Sequence, residues 1–196
     1  SVNRSNIGAE DTALVVGCGP IGLAVISALK LRGIKNIVAA DLQQDKLQIA
    51  QEFGATASAN PAQQDEVALA TEIAAGQRLV IFECVGLHTL IDGFVQRAPA
   101  NATLVITGVH TAVSAINYAY ATVKELDMRF SYYYQPEEFS ECLNTIAEGK
   151  VPWQKLLTGK VGMDGVAQAF QQLLQPNPHI KVVIEPWRNG ALESVV

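Results

Sequence analysis

The sequence predicts an α/β protein built on a doubly wound, parallel, six-stranded sheet with the strand order 3-2-1-4-5-6. Short runs of β-branched residues alternate with longer segments that carry an apolar residue every three or four positions, as in a parallel sheet covered by helices. The short runs do not alternate polar with apolar residues, which is typical of strands buried on both faces. A glycine-rich turn follows the first of these runs.

Each element follows from its residue pattern. The predicted strands are residues 13–16, 36–40, 57–59, 79–84, 103–107 and 126–132. The predicted helices between them are residues 21–31, 45–53, 66–74 and 87–96. In the second helix Leu47, Ala50 and Phe53 are three apart and share one face. Gly33 and Gly54 end the first two helices, because a helix C-terminus favours a residue that tolerates positive φ.

The rhythm changes after a further helix that begins at Pro136. A strand at 156–161, a helix N-capped by Asp164 and a strand at 181–185 follow. This unit is too small to bury a core of its own, so we expect it to be a small return segment of a larger structure. Residues 187–196 show no period and are expected to be a tail.

Composition excludes several functional classes. The 196 residues carry 14 Lys and Arg against 19 Asp and Glu, a net charge of −5, and no two basic residues are adjacent.

 

Every Lys and Arg therefore stands alone in the sequence, and we expect neither nucleic acid nor an anionic membrane to be the partner. Two uncharged stretches, residues 12–29 and 98–123, are interrupted by Gly, Pro and polar residues, so neither predicts a membrane span. The three cysteines are widely spaced and odd in number, which favours a reducing, cytoplasmic location over a disulfide framework. We expect a small ligand.

The glycine-rich turn carries the strongest functional signal. Gly17, Gly19 and Gly22 form a G-x-G-x-x-G motif between a predicted strand and a predicted helix, and Pro20 suits the first helical turn. Such a turn lets the backbone approach a pyrophosphate at the helix N-terminus. Asp41 ends the second strand about where a carboxylate binds the adenosine ribose hydroxyls of NAD. The alternative is a plain helix cap and a strand-end turn, but the combined context predicts NAD.

From about residue 11 to 186 the sequence resembles the coenzyme-binding half of the zinc-containing, medium-chain alcohol and polyol dehydrogenases, which include sorbitol, threonine and galactitol-phosphate dehydrogenases. The matching segments are DTALVVGCGPIGLAVISALKLRG, IVAADLQQDKLQIAQEFGAT, IFECVG, LVITGV, VKELDMRF, EGKVPWQKLLTGKV, VAQAFQQL and KVVIEP. The resemblance implies a Rossmann domain at residues 1–155, a C-terminal segment at 156–186 that belongs to an absent catalytic, GroES-like domain, and the tail at 187–196.

The resemblance also implies a set of cofactor-binding residues. They are Gly17, Gly19, Pro20, Ile21 and Gly22 for the pyrophosphate turn, Asp41, Leu42 and Lys46 for the adenosine ribose, Cys84, Val85 and Gly86 for the adenine and ribose path, and Thr107, Gly108 and Val109 for the nicotinamide end. Cys18 and Cys84 are expected to be packing residues, because nothing in the sequence marks a lowered thiol pKa.

Zinc is where the sequence departs from this family. Only 16 residues precede Gly17, and the Gly-His-Glu segment and cysteine-rich lobe that supply the family's zinc ligands do not occur. The three histidines are scattered, so we expect no metal ligand and no catalytic residue in this chain. The resemblance implies a parent oxidoreductase in which zinc binds a secondary alcohol or polyol and hydride passes to NAD. This chain would then be a fragment that binds NAD without turnover.

Two other functions remain open at this point. The chain could be a complete, non-catalytic dinucleotide-binding sensor or scaffold, or a zinc-free, NADP-linked reductase of the same superfamily. The resemblance further implies a homodimer or tetramer formed through a sheet edge near residues 113–117, a stretch that is uncharged. The five tyrosines at 118, 120 and 132–134 lack interleaved basic residues, so we expect them to pack on a sheet edge or helix.

Overall fold

The computed structural model describes residues 1–175 and 177–195. The α-helices of the described chain are α1 Val2–Ser5, α2 Pro20–Leu31, α3 Gln44–Phe53, α4 Glu66–Ala74, α5 Leu90–Arg97, α6 Tyr118–Val123, α7 Pro136–Ala147 and α8 Val166–Leu173. Its strands are β1 Thr12–Val16, β2 Asn36–Ala40, β3 Ala57–Ala59, β4 Leu79–Glu83, β5 Thr103–Ile106, β6 Asp127–Phe130, β7 Leu157–Gly162, β8 Lys181–Glu185 and β9 Glu193–Ser194. Short 3₁₀ helices occupy Trp153–Leu156 and Met163–Gly165. The chain divides into two compact units, Ser1–Phe139 and Ser140–Val196.

The first unit contains the predicted sheet. Within the described residues, six strands pair in the order β3-β2-β1-β4-β5-β6, and every pairing is parallel. The doubly wound fold predicted from the sequence is therefore confirmed. Parallel neighbours require crossover connections, and helices supply them between the strands.

Apolar residues fill both faces of the central strands. On one face Leu14, Val38 and Ile81 join a buried cluster to which α4 and α5 contribute Val67 and Phe94. The intervening strand residues face the opposite side and are also buried, and there α2 contacts β1 and β2. Burial on both faces explains why these runs lack a polar and apolar alternation.

Elements α5, β6 and α6 differ from the prediction. Helix α5 begins at Leu90 rather than 87, because residues 84–89 form a loop held by the Glu83 carboxylate. Strand β6 is shorter than predicted at both ends. Helix α6 was not predicted, since none of its residues is buried and it shows no apolar period, although Asn117 caps it by accepting from the N–H of Ala119.

The second unit contains a smaller sheet. In its described part, β7 pairs in parallel with β8 and antiparallel with β9. The prediction of Asp164 as an N-cap is wrong, because Gly165 holds that position and the Asp164 carboxylate accepts from the N–H of Gly190 instead. Within the predicted tail at 187–196, β9 is hydrogen-bonded to β7, while Val196 lies outside the described residues.

The tyrosines at 118, 120 and 132–134 lie outside the core, and one of them packs on a helix as expected. All five are exposed in the described chain, and the rings of Tyr133 and Tyr134 stack with a centroid separation of 4.8 Å. Tyr134 in turn stacks on Phe139. The stacked rings cover part of each other's surface but do not belong to the core.

None of the helices in the described part of the chain is long and apolar enough to cross a membrane.

Candidate functional site

Four neighbouring strands of the first unit end in register at one edge of the sheet. Val16 of β1 pairs with Ala40 of β2 and with Glu83 of β4, and Glu83 pairs with Ile106 of β5. The loops that follow these strands therefore lie side by side at the carboxyl edge, where open α/β sheets bind ligands. The structure brings the following predicted cofactor residues to this edge: Gly17, Gly19, Pro20, Ile21 and Gly22 after β1, Asp41, Leu42 and Lys46 after β2, Cys84, Val85 and Gly86 after β4, and Thr107, Gly108 and Val109 after β5.

The turn between β1 and α2 depends on two of its glycines. Gly17 has a φ of +92°, a conformation that side chains rarely adopt, and its N–H donates to the carbonyl of Ala40 at 2.8 Å. A Cβ on Gly22 would lie 1.7 Å from the carbonyl oxygen of Gly17. The first turn of α2 can therefore pack against the turn only because residue 22 is glycine.

Gly19 differs from its two neighbours in the motif. It is the N-cap of α2 and has an extended backbone with φ −75°, and a Cβ placed there would meet no protein atom within 4 Å. Pro20 follows as the first helical residue. The N-terminus of the 12-residue helix α2 thus faces open space with its first N–H groups uncapped by a side chain, an arrangement suited to an anion.

Asp41 ties the second strand to the glycine turn. Its Oδ2 accepts from the N–H of Cys18 at 2.8 Å, and its Oδ1 accepts from the N–H of Gln43 at 2.9 Å. The carboxylate is half-buried, so each oxygen keeps lone-pair capacity toward solvent. Lys46 is also half-buried and lies in the first turn of α3.

Apolar side chains border these polar groups. Ile21, Leu42, Val85 and Val109 come from four different loops or helix starts at the sheet edge, and each is more than half exposed. Large apolar side chains in such a setting provide surface for the flat faces of aromatic rings. The edge therefore combines an anion-binding helix end, a carboxylate and apolar contacts.

Glu83 is a site residue that the sequence reasoning missed. It is fully buried at the end of β4, and its Oε1 accepts from the N–H groups of Val85 and Gly86, both at 2.7 Å. Its Oε2 lies 2.9 Å from Nε2 of His110. The available signal was an acidic residue inside the apolar run LVIFEC, since glutamate is rarely fully buried without partners.

The loops after β4 and β5 approach each other closely. A Cβ on Gly108 would lie 2.3 Å from the backbone nitrogen of Gly86 and 2.6 Å from Oε2 of Glu83. The N–H groups of Thr107 and Gly108 both donate to the Glu83 carbonyl, at 2.9 and 3.0 Å. Glu83 consequently contacts both loops through its backbone and its side chain.

The two cysteines at this edge are not activated thiols. Burial, reinforced by the charge of Asp41, raises the pKa of Cys18 to about 12. Burial and the charge of Glu83 raise the pKa of Cys84 to about 12 as well. Neither thiol is a thiolate at neutral pH, so the expectation that they are packing residues agrees with their surroundings.

The donor set does not fit a zinc ion. Among residues 1–175 and 177–195, no group of three or more His, Cys, Asp or Glu side chains is placed to hold a metal. His110 is engaged with Glu83, and Nδ1 of His179 contacts the carbonyl of Thr158 in the other unit.

The chain matches the family model for zinc-binding dehydrogenases over residues 20–148. It is 30% identical over 187 residues to a (R,R)-butanediol dehydrogenase from Neisseria gonorrhoeae, a match that covers 93% of this chain and 52% of the relative. The chain thus spans about half the length of the curated relatives it matches.

Two similar solved structures contain a cofactor. One, described as a short chain alcohol dehydrogenase from E. coli and complexed with NADH, is 25% identical, with a TM-score of 0.78 over 92% of this chain and 54% of its own. Another, from Sinorhizobium meliloti and bound to NADP, is 26% identical, with a TM-score of 0.77 over 94% of this chain and 55% of its own.

The family model covers well over half of the chain, and the relatives share its fold. The family resemblance drawn from the sequence is confirmed: this chain belongs to the zinc-binding dehydrogenase family.

Proposed function

We propose that this chain binds NAD at the carboxyl edge of its six-stranded sheet. One observation carries the proposal: the Asp41 carboxylate accepts from the N–H of Cys18, inside the glycine turn that opens α2. This bond places a ribose-binding carboxylate beside a helix N-terminus suited to a pyrophosphate. A helix cap without a ligand would need neither the open space at Gly19 nor the carboxylate beside it.

The four loops divide the cofactor among them. The first turn of α2, with Gly19 and Pro20, takes the pyrophosphate, and Asp41 takes the adenosine ribose hydroxyls. Leu42 and Val85 offer apolar surface to the adenine. Thr107, Gly108 and Val109 lie beyond β4, on the side of the sheet edge away from β2, and take the nicotinamide end.

The charge at Asp41 favours NAD over NADP. The adenosine 2′-phosphate of NADP would approach the carboxylate that the 2′-hydroxyl of NAD would hydrogen-bond, and two negative groups at that distance repel. The residues that follow, Leu42, Gln43 and Gln44, carry no positive charge. Residues 42–44 therefore provide no positive charge that would offset the charge of a 2′-phosphate.

For the whole protein we propose NAD-dependent oxidation of a secondary alcohol of a diol or polyol. The alcohol carbon loses hydride to the nicotinamide ring, the hydroxyl proton leaves to a base or to solvent, and a ketone forms. The support is the family membership and the similarity to a butanediol dehydrogenase. The described residues contribute the cofactor site to this reaction and no metal site.

The second unit is proposed to be part of a catalytic domain whose larger part is encoded upstream of residue 1, with residues 156–186 as the returning segment. Apolar side chains of this unit are exposed on both its helix and its sheet, including Phe170, Leu174, Ile184 and Trp187. Exposed apolar surface on this scale is typical of a face that another part of a protein covers. The sequence encoded before Ser1 tests this: a Gly-His-Glu segment and a four-cysteine lobe are expected, and an upstream reading frame without them would contradict it.

A cytoplasmic location and a homodimer or tetramer are also proposed. The three cysteines are free in the described chain, as in a reducing compartment. Residues 113–117 form no strand in the structure, yet Val113 is fully exposed there, which leaves the segment available to a second copy. Light scattering of the purified chain tests assembly, and a monomer at all concentrations would contradict it.

Calorimetric titration with NAD and with NADP tests the cofactor proposal. We expect saturable binding of NAD and weaker binding of NADP by the purified chain. Tighter binding of NADP would favour the alternative of an NADP-linked reductase. Binding of neither cofactor would overturn the proposal.

A further inference from the structure

We infer that Glu83 is a positioning residue that holds the β4 and β5 loops in the shape that receives the cofactor, with His110 as its partner on the second loop. The inference rests on the proposed function and adds two residues that the dinucleotide motif does not contain. Neither residue needs to touch the cofactor itself.

The buried position of Glu83 carries a free-energy cost that its hydrogen bonds must offset. Its side chain is 1% exposed, and a carboxylate in such a place is stable only when its oxygens are hydrogen-bonded. Three groups satisfy it, the N–H groups of Val85 and Gly86 and the Nε2 atom of His110. All three belong to loops at the proposed cofactor edge rather than to the core.

The hydrogen bonds to Glu83 fix the conformation of the loop after β4. Gly86 has a φ of +81°, and the N–H bond to Glu83 holds it there. In that conformation Val85 is directed toward the glycine turn, where its Cγ2 would lie 2.8 Å from a Cβ on Gly17. Glu83 therefore determines how the β4 loop meets the turn that receives the pyrophosphate.

The contact with His110 links Glu83 to the loop after β5. His110 follows the proposed nicotinamide segment directly, and the described residues give its buried Nδ1 no hydrogen-bond partner. Its contact with Oε2 of Glu83 is thus the polar contact that the structure shows for the ring. A ring that donates from Nε2 to Oε2 satisfies this geometry. Loss of this contact should let residues Thr107 to Val109 change position, whereas the residues proposed to bind the adenosine should stay in place.

Variants at both residues test the inference, with NAD and AMP as probes. Glu83→Ala removes all three side-chain contacts and should weaken NAD binding by about tenfold or more. Glu83→Gln keeps an acceptor for the two N–H groups, and its NH2 group can donate to Nε2 of His110 in the other ring tautomer, so NAD affinity should stay within about threefold of that of the unchanged chain. Glu66→Gln is the matched control, because Glu66 is also a buried carboxylate but pairs with Arg97. It should leave NAD binding unchanged.

His110 provides a readout that general destabilisation would not give. His110→Ala should weaken NAD by about tenfold and leave AMP, which lacks the nicotinamide half, within about twofold. His110→Gln offers an amide N–H at a similar position and should recover most of the NAD affinity. Thermal unfolding of each variant verifies folding, and if Glu83→Ala does not fold, the His110 pair of variants carries the test.

The outcomes are separable from those of the proposed function. If the unchanged chain binds no NAD, the proposed function fails and the inference falls with it. If the unchanged chain binds NAD but folded Glu83→Ala and His110→Ala bind it equally well, only the inference is overturned. An equal loss of NAD and AMP in His110→Ala would also overturn it, since the effect would then not be confined to the nicotinamide side.

Discussion

The N–H of Cys18 donates to Oδ2 of Asp41 over 2.8 Å, across 23 positions of sequence. This bond joins the loop after β1 to the loop after β2. It gives Asp41 two tasks, shaping the glycine turn and presenting charge at the proposed ribose site. The two tasks can be separated by substitution.

Asp41→Asn removes the charge but keeps one acceptor oxygen and the size of the side chain. We expect the preference for NAD over NADP to fall by about tenfold, mainly through tighter NADP binding, because repulsion of the 2′-phosphate is lost. Parallel titrations with both cofactors measure it. Asp45→Asn, which removes an exposed carboxylate from the first turn of α3, is the control and should change the preference by less than about twofold. An unaltered preference in Asp41→Asn would contradict the assignment.

Two glycine substitutions should separate stability from binding. Gly22→Ala places a Cβ in contact with the Gly17 carbonyl and should lower the free energy of unfolding by about 3 kcal/mol or more. Gly19→Ala meets no protein atom and should change stability by less than about 1 kcal/mol while weakening NAD by about tenfold. Denaturant unfolding and NAD titration of both variants check this. Equal effects of the two substitutions would show that neither glycine acts as described.

Much of the architecture was predictable from the sequence, because buried parallel strands need unbroken apolar runs. The run NIVAA and the glycine motif located β2 and the start of α2 to within one residue. Helix α6 could not be predicted, since none of its residues is fully buried and its start depends on Asn117. The Glu83 contact with His110 was also hidden, because it joins residues 27 positions apart through a side chain that the motif does not include.

Thiol reactivity should distinguish the three cysteines. At pH 8 a thiol reagent should label Cys142, which is exposed, and spare Cys18 and Cys84, whose pKa values are raised to about 12. Mass spectrometry of the labelled protein identifies the sites, and denaturation should make all three reactive. Rapid labelling of Cys18 in the folded chain would contradict its burial.

The same burial predicts a loss of stability at alkaline pH. The Cys18 thiol ionises near its ordinary pKa of about 8.5 in the unfolded chain but only near 12 in the folded chain. The unfolded chain thus loses the proton first, and this contribution to stability, complete below that ordinary pKa, declines as pH rises toward 12. Between these two pKa values, the free energy of unfolding should depend less steeply on pH in Cys18→Ala than in the unchanged chain. Cys142→Ala should keep the original slope, and equal slopes for both variants would contradict the prediction.

The lowered pKa of Asp65 predicts a loss of stability in acid. It caps α4 by accepting from the N–H groups of Val67 and Ala68, and although burial opposes ionisation, these bonds and Arg97 hold its pKa below the ordinary value. Its contribution is present above the unfolded pKa of about 3.9 and is lost as pH falls through the lower folded value. Asp65→Ala should cost about 1 kcal/mol at neutral pH. Asp65→Asn should retain most of the cap, and urea unfolding of both variants measures the difference.

A crystal structure of this chain grown with NAD is the most direct test of NAD binding at the carboxyl edge of the six-stranded sheet. We expect the pyrophosphate at the N-terminus of α2 beside Gly19, and the adenosine ribose hydroxyls within hydrogen-bond distance of the Asp41 carboxylate. NAD bound anywhere other than the carboxyl edge of the six-stranded sheet, or an Asp41 carboxylate without contact to the ribose, would contradict it.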